Sequence, residues 1–187
     1  RDYYASRGLG DVYKRQQIPI SQADAKYKRY IGNGAPKHFL SWSNNLTWRN
    51  FDLSVFFRGT FGFDVFNMRK YGMGLQGCGT DNVLRSAYLE DKNIRTGGGV
   101  ISSYFLEDGS FIKLENVTLG YNFTPKNRKL LDNMRIYLSA KNLFTLTGYS
   151  GNDPSIIDVN GIQPGVDSNS AYPTATQLSL GVTLRFK

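Results

Sequence analysis

Apolar and polar side chains alternate without exception in residues 177–186, QLSLGVTLRF. Leu178, Leu180, Val182, Leu184 and Phe186 fall on one side of an extended chain, and the residues between them fall on the other. This period of two predicts a β-strand with one apolar face. We expect the edge of this strand to be paired, because a bare edge of this length would invite aggregation, and closure into a barrel would supply the partner.

The same alternation recurs at four earlier places in the chain. Residues 39–48 and 51–60 are separated only by Arg49-Asn50, which predicts a hairpin with a short turn, and Phe56 is the only misfit. We find no convincing helix. The prediction is an all-β fold, an antiparallel meander of about five long strands in chain order, at 39–48, 51–60, 110–123, 134–145 and 176–186.

The length of these segments favours a membrane barrel over a soluble domain. Each alternating stretch runs about nine to eleven residues, which is enough to cross a bilayer when tilted, whereas soluble strands average about five or six. Residues 61–109 and 146–175 have little periodicity and are predicted to be long extracellular loops. The short connections, at Arg49-Asn50 and at Thr124 to Asn133, would then be periplasmic.

The alternation divides the strands into two predicted faces. The apolar side chains are predicted to face lipid: Leu46, Trp48, Phe51, Leu53, Val55, Phe57, Val117, Leu119, Tyr121, Phe123, Ile136, Leu138, Leu178, Leu180, Val182, Leu184 and Phe186. The polar ones are predicted to face the lumen: Asp52, Ser54, Arg58, Arg135, Tyr137, Ser139, Lys141, Gln177, Ser179, Thr183 and Arg185. Aromatic residues at the strand ends, such as Trp48 and Phe186, favour an interfacial girdle.

Composition excludes several other classes. Hydrophobic residues make up 40% of the chain, without an apolar run near the eighteen or so residues of a transmembrane helix. The single cysteine, Cys78, cannot form an internal disulfide and is read as a loop thiol. The net charge of +8 comes largely from residues 1–17 and two short basic segments, at 26–29 and 126–129, so no nucleic-acid partner is predicted.

Catalytic and metal-binding patterns are weak. The only histidine, His38, precedes a strand beside Lys37, and no serine or cysteine is identified as its catalytic partner. Asp153, Asp158 and Asp167 lie in one loop but lack the ligand spacing of a calcium loop. We therefore predict no enzyme activity, no metal site and no cofactor.

A long stretch of the chain carries a family resemblance. Residues 104–123, YFLEDGSFIKLENVTLGYNF, resemble a stretch of the SusC/RagA family of TonB-dependent outer-membrane transporters. Segments 31–37, 48–54, 140–145 and 148–154 resemble other family segments in the same order. The family motif within this run is Leu106, Glu107, Asp108, Gly109, Ser110 and Phe111.

The resemblance implies that residues 18–187 are the C-terminal segment of a larger barrel of the 22-strand type, whose plug and TonB box are not in this chain. It implies uptake of a glycan oligosaccharide or peptide across the outer membrane of a Gram-negative, Bacteroidetes-like cell. The implied partners are outer-membrane lipid, a SusD-like surface lipoprotein and TonB. Residues 1–17 fit neither the pattern nor the family and are predicted to be a non-native or disordered leader. Lys187 also departs from the family's usual aromatic end.

The predicted loops hold candidate substrate-binding residues. Tyrosine rings there could stack on sugar faces or contact a SusD-like lipoprotein, although simple loop packing is the favoured explanation; the candidates are Tyr71, Tyr88, Tyr104, Tyr149 and Tyr172. The alternative function is a soluble all-β carbohydrate-binding module, in which the apolar faces would pack sheet against sheet.

Overall fold

The computed structural model describes residues 2–6, 28–74, 82–85, 103–125, 131–157, 164–168 and 172–187. Two units can be distinguished, and each is described by itself. The strand unit comprises residues 38–60, 111–147 and 174–187, and the loop unit comprises residues 1–37, 61–110 and 148–173. No helix among the described residues is long and apolar enough to cross a membrane.

The elements follow one another along the chain in a fixed order. The first strands are β1 (Asp2–Ser6), β2 (Lys28–Asn33), β3 (His38–Trp48), β4 (Phe51–Phe61) and β5 (Asp64–Asn67), followed by helix α1 (Met68–Met73). A 3-10 turn at Ser103–Phe105 leads into β6 (Leu106–Asp108), β7 (Phe111–Phe123) and β8 (Leu131–Thr147). A second 3-10 turn at Pro154–Ile156 precedes β9 (Val166–Asp167) and β10 (Gln177–Phe186).

The strand unit is one antiparallel sheet. Its five strands lie in the order β10-β8-β7-β4-β3, which is the order of the chain read backwards. The strands are 10 to 17 residues long. The predicted all-β meander of five long strands is confirmed, because β3 and β10 are the two edges of one sheet rather than facing layers.

The loop unit contains structure that the sequence did not predict. Strands β6, β5 and β9 form a three-stranded sheet, and β5 leads directly into α1. Within the described residues 61–74 and 103–109, the predicted loop therefore contains the short strands β5 and β6 and the six-residue helix α1, while the fold as a whole is the predicted all-β class. These strands are only two to four residues long, too short for periodicity to reveal them.

Two predicted boundaries also change. Strand β8 extends to Thr147, two residues into the predicted loop 146–175, because Leu146 and Thr147 continue its ladder with β7. Asp2–Ser6 lies within the predicted non-native or disordered leader and pairs antiparallel with Lys28–Asn33, so this short stretch is ordered. Residues 7–27 lie outside the described part of the chain, and the foreign origin of the leader stays a prediction.

Candidate functional site

The register of the sheet places apolar side chains beside apolar side chains across four strands. This surface of the strand unit is called the apolar face. Its central rows are Phe51–Tyr121–Ile136–Val182, Leu53–Leu119–Leu138–Leu180 and Val55–Val117–Ala140–Leu178. Because side chains alternate strictly along each strand, a shift of one residue between any two strands would break all three rows.

The apolar face is exposed. Leu180 keeps 75% of its surface accessible, Leu178 keeps 70%, and Trp48 on edge strand β3 keeps 67%. The structure thus presents a broad contiguous set of large apolar side chains, which soluble monomers rarely leave open to water.

A bulge keeps this face continuous along the full length of the strands. Strand β4 pairs Phe56 with Asn116 but Phe57 with Leu114, so Glu115 is an extra residue on β7. Strand β8 skips Asn142 and Leu143 at the same level, and Asn142 has a φ of 53°. The bulge turns Leu114 to the apolar side, opposite Phe57.

The opposite surface of the strand unit, called the polar face, carries a hydrogen-bonded cluster. Asp52 accepts hydrogen bonds from Arg135 Nε at 3.1 Å and from Asn122 Nδ2 at 2.8 Å. The Arg135 guanidinium also lies 5.1 Å from the ring centre of Tyr137. Three strands, β4, β7 and β8, are therefore linked at one level of this face.

Small residues make room for this cluster. Asp52, Gly120, Tyr137 and Gly181 form one cross-strand row. A Cβ on Gly120 would collide with the Asp52 carboxylate, and a Cβ on Gly181 would collide with the Tyr137 ring. Residues with large side chains therefore alternate with glycines across the row, and the glycines leave space for the polar side chains to lie flat on the sheet.

The polar face also contains groups that sequence reasoning missed. Lys113 is only 2% exposed, and its Nζ donates to Thr174 Oγ1 at 2.6 Å. Its cross-strand partner Arg58 forms an ion pair with Glu115 at 3.2 Å. The bulge at Glu115 brings these charged groups onto one face, and nothing in the linear alternation signals it.

The resemblance motif builds the junctions of the loop unit. Asp108 Oδ1 accepts from the Ser110 amide at 2.9 Å and from its hydroxyl at 2.6 Å. Ser110 Oγ in turn accepts from the Gly62 amide at 3.1 Å. Gly109 lies so close to Phe63 and Val65 that a Cβ would collide with both. The contacts of Asp108, Gly109 and Ser110 within the loop unit therefore explain why these residue types occur in the motif.

Glu107 is the centre of a second network in the loop unit. Its carboxylate accepts from the Ser150 amide and hydroxyl, each at 2.8 Å, and pairs with Lys70 at 3.6 Å. The Lys70 ammonium also lies 4.3 Å from the ring centre of Tyr104. Asn67 caps α1 by accepting from the Lys70 amide at 2.9 Å. The network holds α1 and β6 to the segment that follows β8.

The predicted tyrosine candidates have different environments. Tyr71 and Tyr104 are partly buried against Phe105, with ring centres 5.2 Å away in each case. Tyr149 is 6% exposed and donates to Asp167 Oδ2 at 2.6 Å, and burial, followed by this hydrogen bond, raises its pKa. Tyr172 is 86% exposed, and Tyr88 lies outside the described residues. Substrate binding by any of them remains a prediction.

The acidic loop residues are used locally. Asp153 caps the second 3-10 turn by accepting from the Ser155 amide at 2.8 Å, and Asp167 accepts from Tyr149. Asp158 and Cys78 lie outside the described residues. Within the described ranges, no group of three acidic, histidine or cysteine side chains could hold a metal ion.

Several known proteins are similar to this chain, although no family model matches it. It is 28% identical over 188 residues to TonB-dependent receptor P3 of Formosa agariphila, covering 89% of this chain and 18% of that protein. It is 28% identical over 153 residues to TonB-dependent receptor SusC of Bacteroides thetaiotaomicron, covering 77% of this chain and 14% of that protein.

The fold also matches solved structures. A structure of the RagAB peptide importer in the closed-closed state superposes with a TM-score of 0.72 at 22% sequence identity, covering 98% of this chain and 22% of that chain. A structure of the RagAB peptide transporter gives a TM-score of 0.71 at 23% identity. The chain spans roughly a fifth or less of the length of these relatives.

The antiparallel sheet of long strands is part of the fold that this chain shares with the solved RagAB structures. More specifically, the resemblance to the SusC/RagA-like TonB-dependent receptors is confirmed, over part of the length of those proteins. The relatives are named as receptors and importers rather than enzymes. The number of strands in the complete barrel stays a prediction.

Proposed function

We propose that this chain forms barrel wall and extracellular loops of an outer-membrane TonB-dependent nutrient importer. The observation that carries the proposal is the contrast between the two faces of the sheet. An exposed, in-register apolar face suits hydrocarbon, and a polar face bearing Asp52, Arg135 and Lys141 suits a wet lumen. Strands of 10 to 17 residues are long enough to cross a tilted path through the bilayer.

The proposed cargo is a glycan oligosaccharide or a peptide. The polar face carries hydroxyl and amide groups together with cations such as Arg58. Two of the hydroxyls, those of Thr118 and Ser139, are hydrogen-bonded to each other at 3.1 Å. Such groups bind sugars and peptide backbones alike. Among the candidate tyrosines that the structure describes, exposed Tyr172 is the best placed to stack on a sugar ring. We propose a SusD-like surface lipoprotein and TonB as partners of the complete protein.

Cysteine labelling in the full-length parent protein tests the membrane placement. In intact outer membranes, Leu180→Cys should react with a lipid-phase probe and resist a water-soluble maleimide. Ser179→Cys, its neighbour on the polar face, is the matched control and should react with the maleimide from the lumen. Aqueous labelling at position 180 would overturn the proposal.

A soluble carbohydrate-binding module predicts a different result. Its apolar face would be covered by a second sheet, and the protein would stay monodisperse without detergent. Aggregation of the purified parent on detergent removal, with recovery in lipid nanodiscs, is the behaviour expected of the importer.

A further inference from the structure

The turn between β3 and β4 contains an unusual backbone position. Arg49 has a φ of 52°, in the left-handed region that glycine and asparagine occupy most readily. Glycine or asparagine would form the same turn with less backbone strain than arginine. A non-glycine residue in a strained conformation favours the hypothesis that its side chain has a role.

The Arg49 side chain lies over an exposed aromatic ring. Its guanidinium carbon is 5.2 Å from the ring centre of Trp48, which is 67% exposed. Trp48 lies on the apolar face, because Trp42, six residues earlier on β3, contacts Phe57 of that face at 5.6 Å between ring centres. The Arg49 guanidinium therefore lies beside the apolar face.

No carboxylate pairs with Arg49 among the residues that the structure describes. The nearest acidic residue along the chain, Asp52, lies on the polar face and is bound by Arg135 and Asn122. The planar guanidinium can therefore direct paired N–H donors to an external anion, and phosphate matches that geometry.

Other aromatic residues mark the level of this turn. Phe51 and Tyr121 pack with ring centres 4.9 Å apart, and Phe123 and Phe186 lie at the same end of the sheet, 43% and 62% exposed. Girdles of aromatic residues flank the apolar band of outer-membrane barrels at the level of the head groups, which is where lipid phosphates lie.

We propose that Arg49 and Trp48 form a binding site for the phosphate of an anionic phospholipid in the periplasmic leaflet. The inference rests on the proposed membrane placement and adds a specific lipid contact to it. The guanidinium would bind the phosphate oxygens, and the indole would hold the guanidinium in place while packing on the first acyl carbons.

Native mass spectrometry of the full-length parent tests this site. The protein, released from nanodiscs that contain phosphatidylglycerol and phosphatidylcholine, should retain phosphatidylglycerol preferentially, because the choline cation offsets the phosphate charge of the other lipid. Arg49→Asn keeps a residue that tolerates the turn and should lower that preference about fivefold, the effect expected of one basic side chain near a membrane surface. Trp48→Leu should give a smaller loss, because the charge remains but its support is removed.

Arg185→Asn is the matched control. Arg185 pairs with Asn133 near the same end of the sheet but lies on the polar face, so its loss removes the same charge at a similar depth. Unchanged lipid retention in Arg185→Asn supports the site. Unchanged retention in Arg49→Asn, or equal losses in both variants, would overturn it. Failure of the membrane placement itself would show separately, as aqueous labelling of Leu180→Cys.

Discussion

The Tyr149 hydroxyl is buried in the loop unit and donates to Asp167. Burial first, and then the bond to and charge of Asp167, raise the pKa of Tyr149 above its ordinary value of 10.0. The unfolded chain therefore loses this proton at a lower pH than the folded chain. The stability that the neutral hydroxyl contributes is fully present below pH 10 and is lost as the pH rises further.

We expect Tyr149 to stay un-ionised above pH 10 until the loop unit unfolds. Tyrosinate absorbance of the wild type minus that of Tyr149→Phe isolates this residue from the other tyrosines. The difference should appear only together with the unfolding transition. A separate Tyr149 ionisation near its ordinary pKa, with the fold intact, would contradict the observed burial.

Asn142 combines a left-handed backbone conformation with hydrogen bonds to the segment before β10. It occupies the left-handed region at the bulge of β8, donates to the Ala175 carbonyl at 3.3 Å and accepts through its own carbonyl from Thr176 at 2.9 Å. Asn142→Ala should destabilise the protein by about 1.5–3.5 kcal/mol, because alanine is strained in this region and cannot make the side-chain hydrogen bond to Ala175. Denaturant unfolding measures the change.

Asn142→Gly separates the two contributions. Glycine accepts the backbone conformation, so this variant should lose only the side-chain hydrogen bond and cost about 0.5–1.5 kcal/mol. Equal destabilisation by alanine and glycine would show that the bond, rather than the backbone, dominates. Sequence patterning placed a strand at 134–145 but could not reveal this bulge, because alternation continues on both sides of it.

At the scale of the element, the row Asp52–Gly120–Tyr137–Gly181 couples neighbouring strands. Gly181→Ala would place a Cβ against the Tyr137 ring, which also packs on Arg135. The tyrosine must move, and we expect a cost of about 1–3 kcal/mol.

A double-mutant cycle checks this coupling. In a Tyr137→Ala background the same glycine substitution should cost far less, because the ring is gone and alanine favours an extended chain more than glycine does. Additive effects of the two substitutions would show that the ring does not depend on the glycine.

The elements differ in how far their sequence predicted them. The five long strands were predictable because each repeats a period of two over most of its length, and the register of β4, β7, β8 and β10 matches apolar residues in central rows. The loop unit was not, because its order comes from side-chain hydrogen bonds of residues such as Glu107 and Asn67, which join segments up to 83 residues apart. Lys113 was missed because the bulge at Glu115 reverses its side.

At the scale of the whole molecule, the question is which face meets lipid. If Leu180 contacts hydrocarbon, Leu180→Arg in the full-length parent should cost about 2–4 kcal/mol of folding free energy when the residue lies near the bilayer midplane, because lipid cannot solvate the guanidinium. Ser179→Arg should cost far less, since the adjacent polar face already carries Arg135, Lys141 and Arg185 and would keep the new charge in water. Unfolding titrations in lipid vesicles give both values.

A second comparison uses the depth of each residue in the bilayer, because Leu180→Arg would also destabilise a soluble sandwich. In a bilayer the cost must fall along β10 from its middle towards its ends, so Phe186→Arg should be milder than Leu180→Arg although Phe186 is the larger apolar side chain. In a soluble core the penalty follows the apolar area that each side chain buries, which makes loss of the phenylalanine the costlier change. A larger penalty at 186 than at 180 would therefore contradict the membrane interpretation, and the reverse order agrees with a slab of hydrocarbon centred on the sheet.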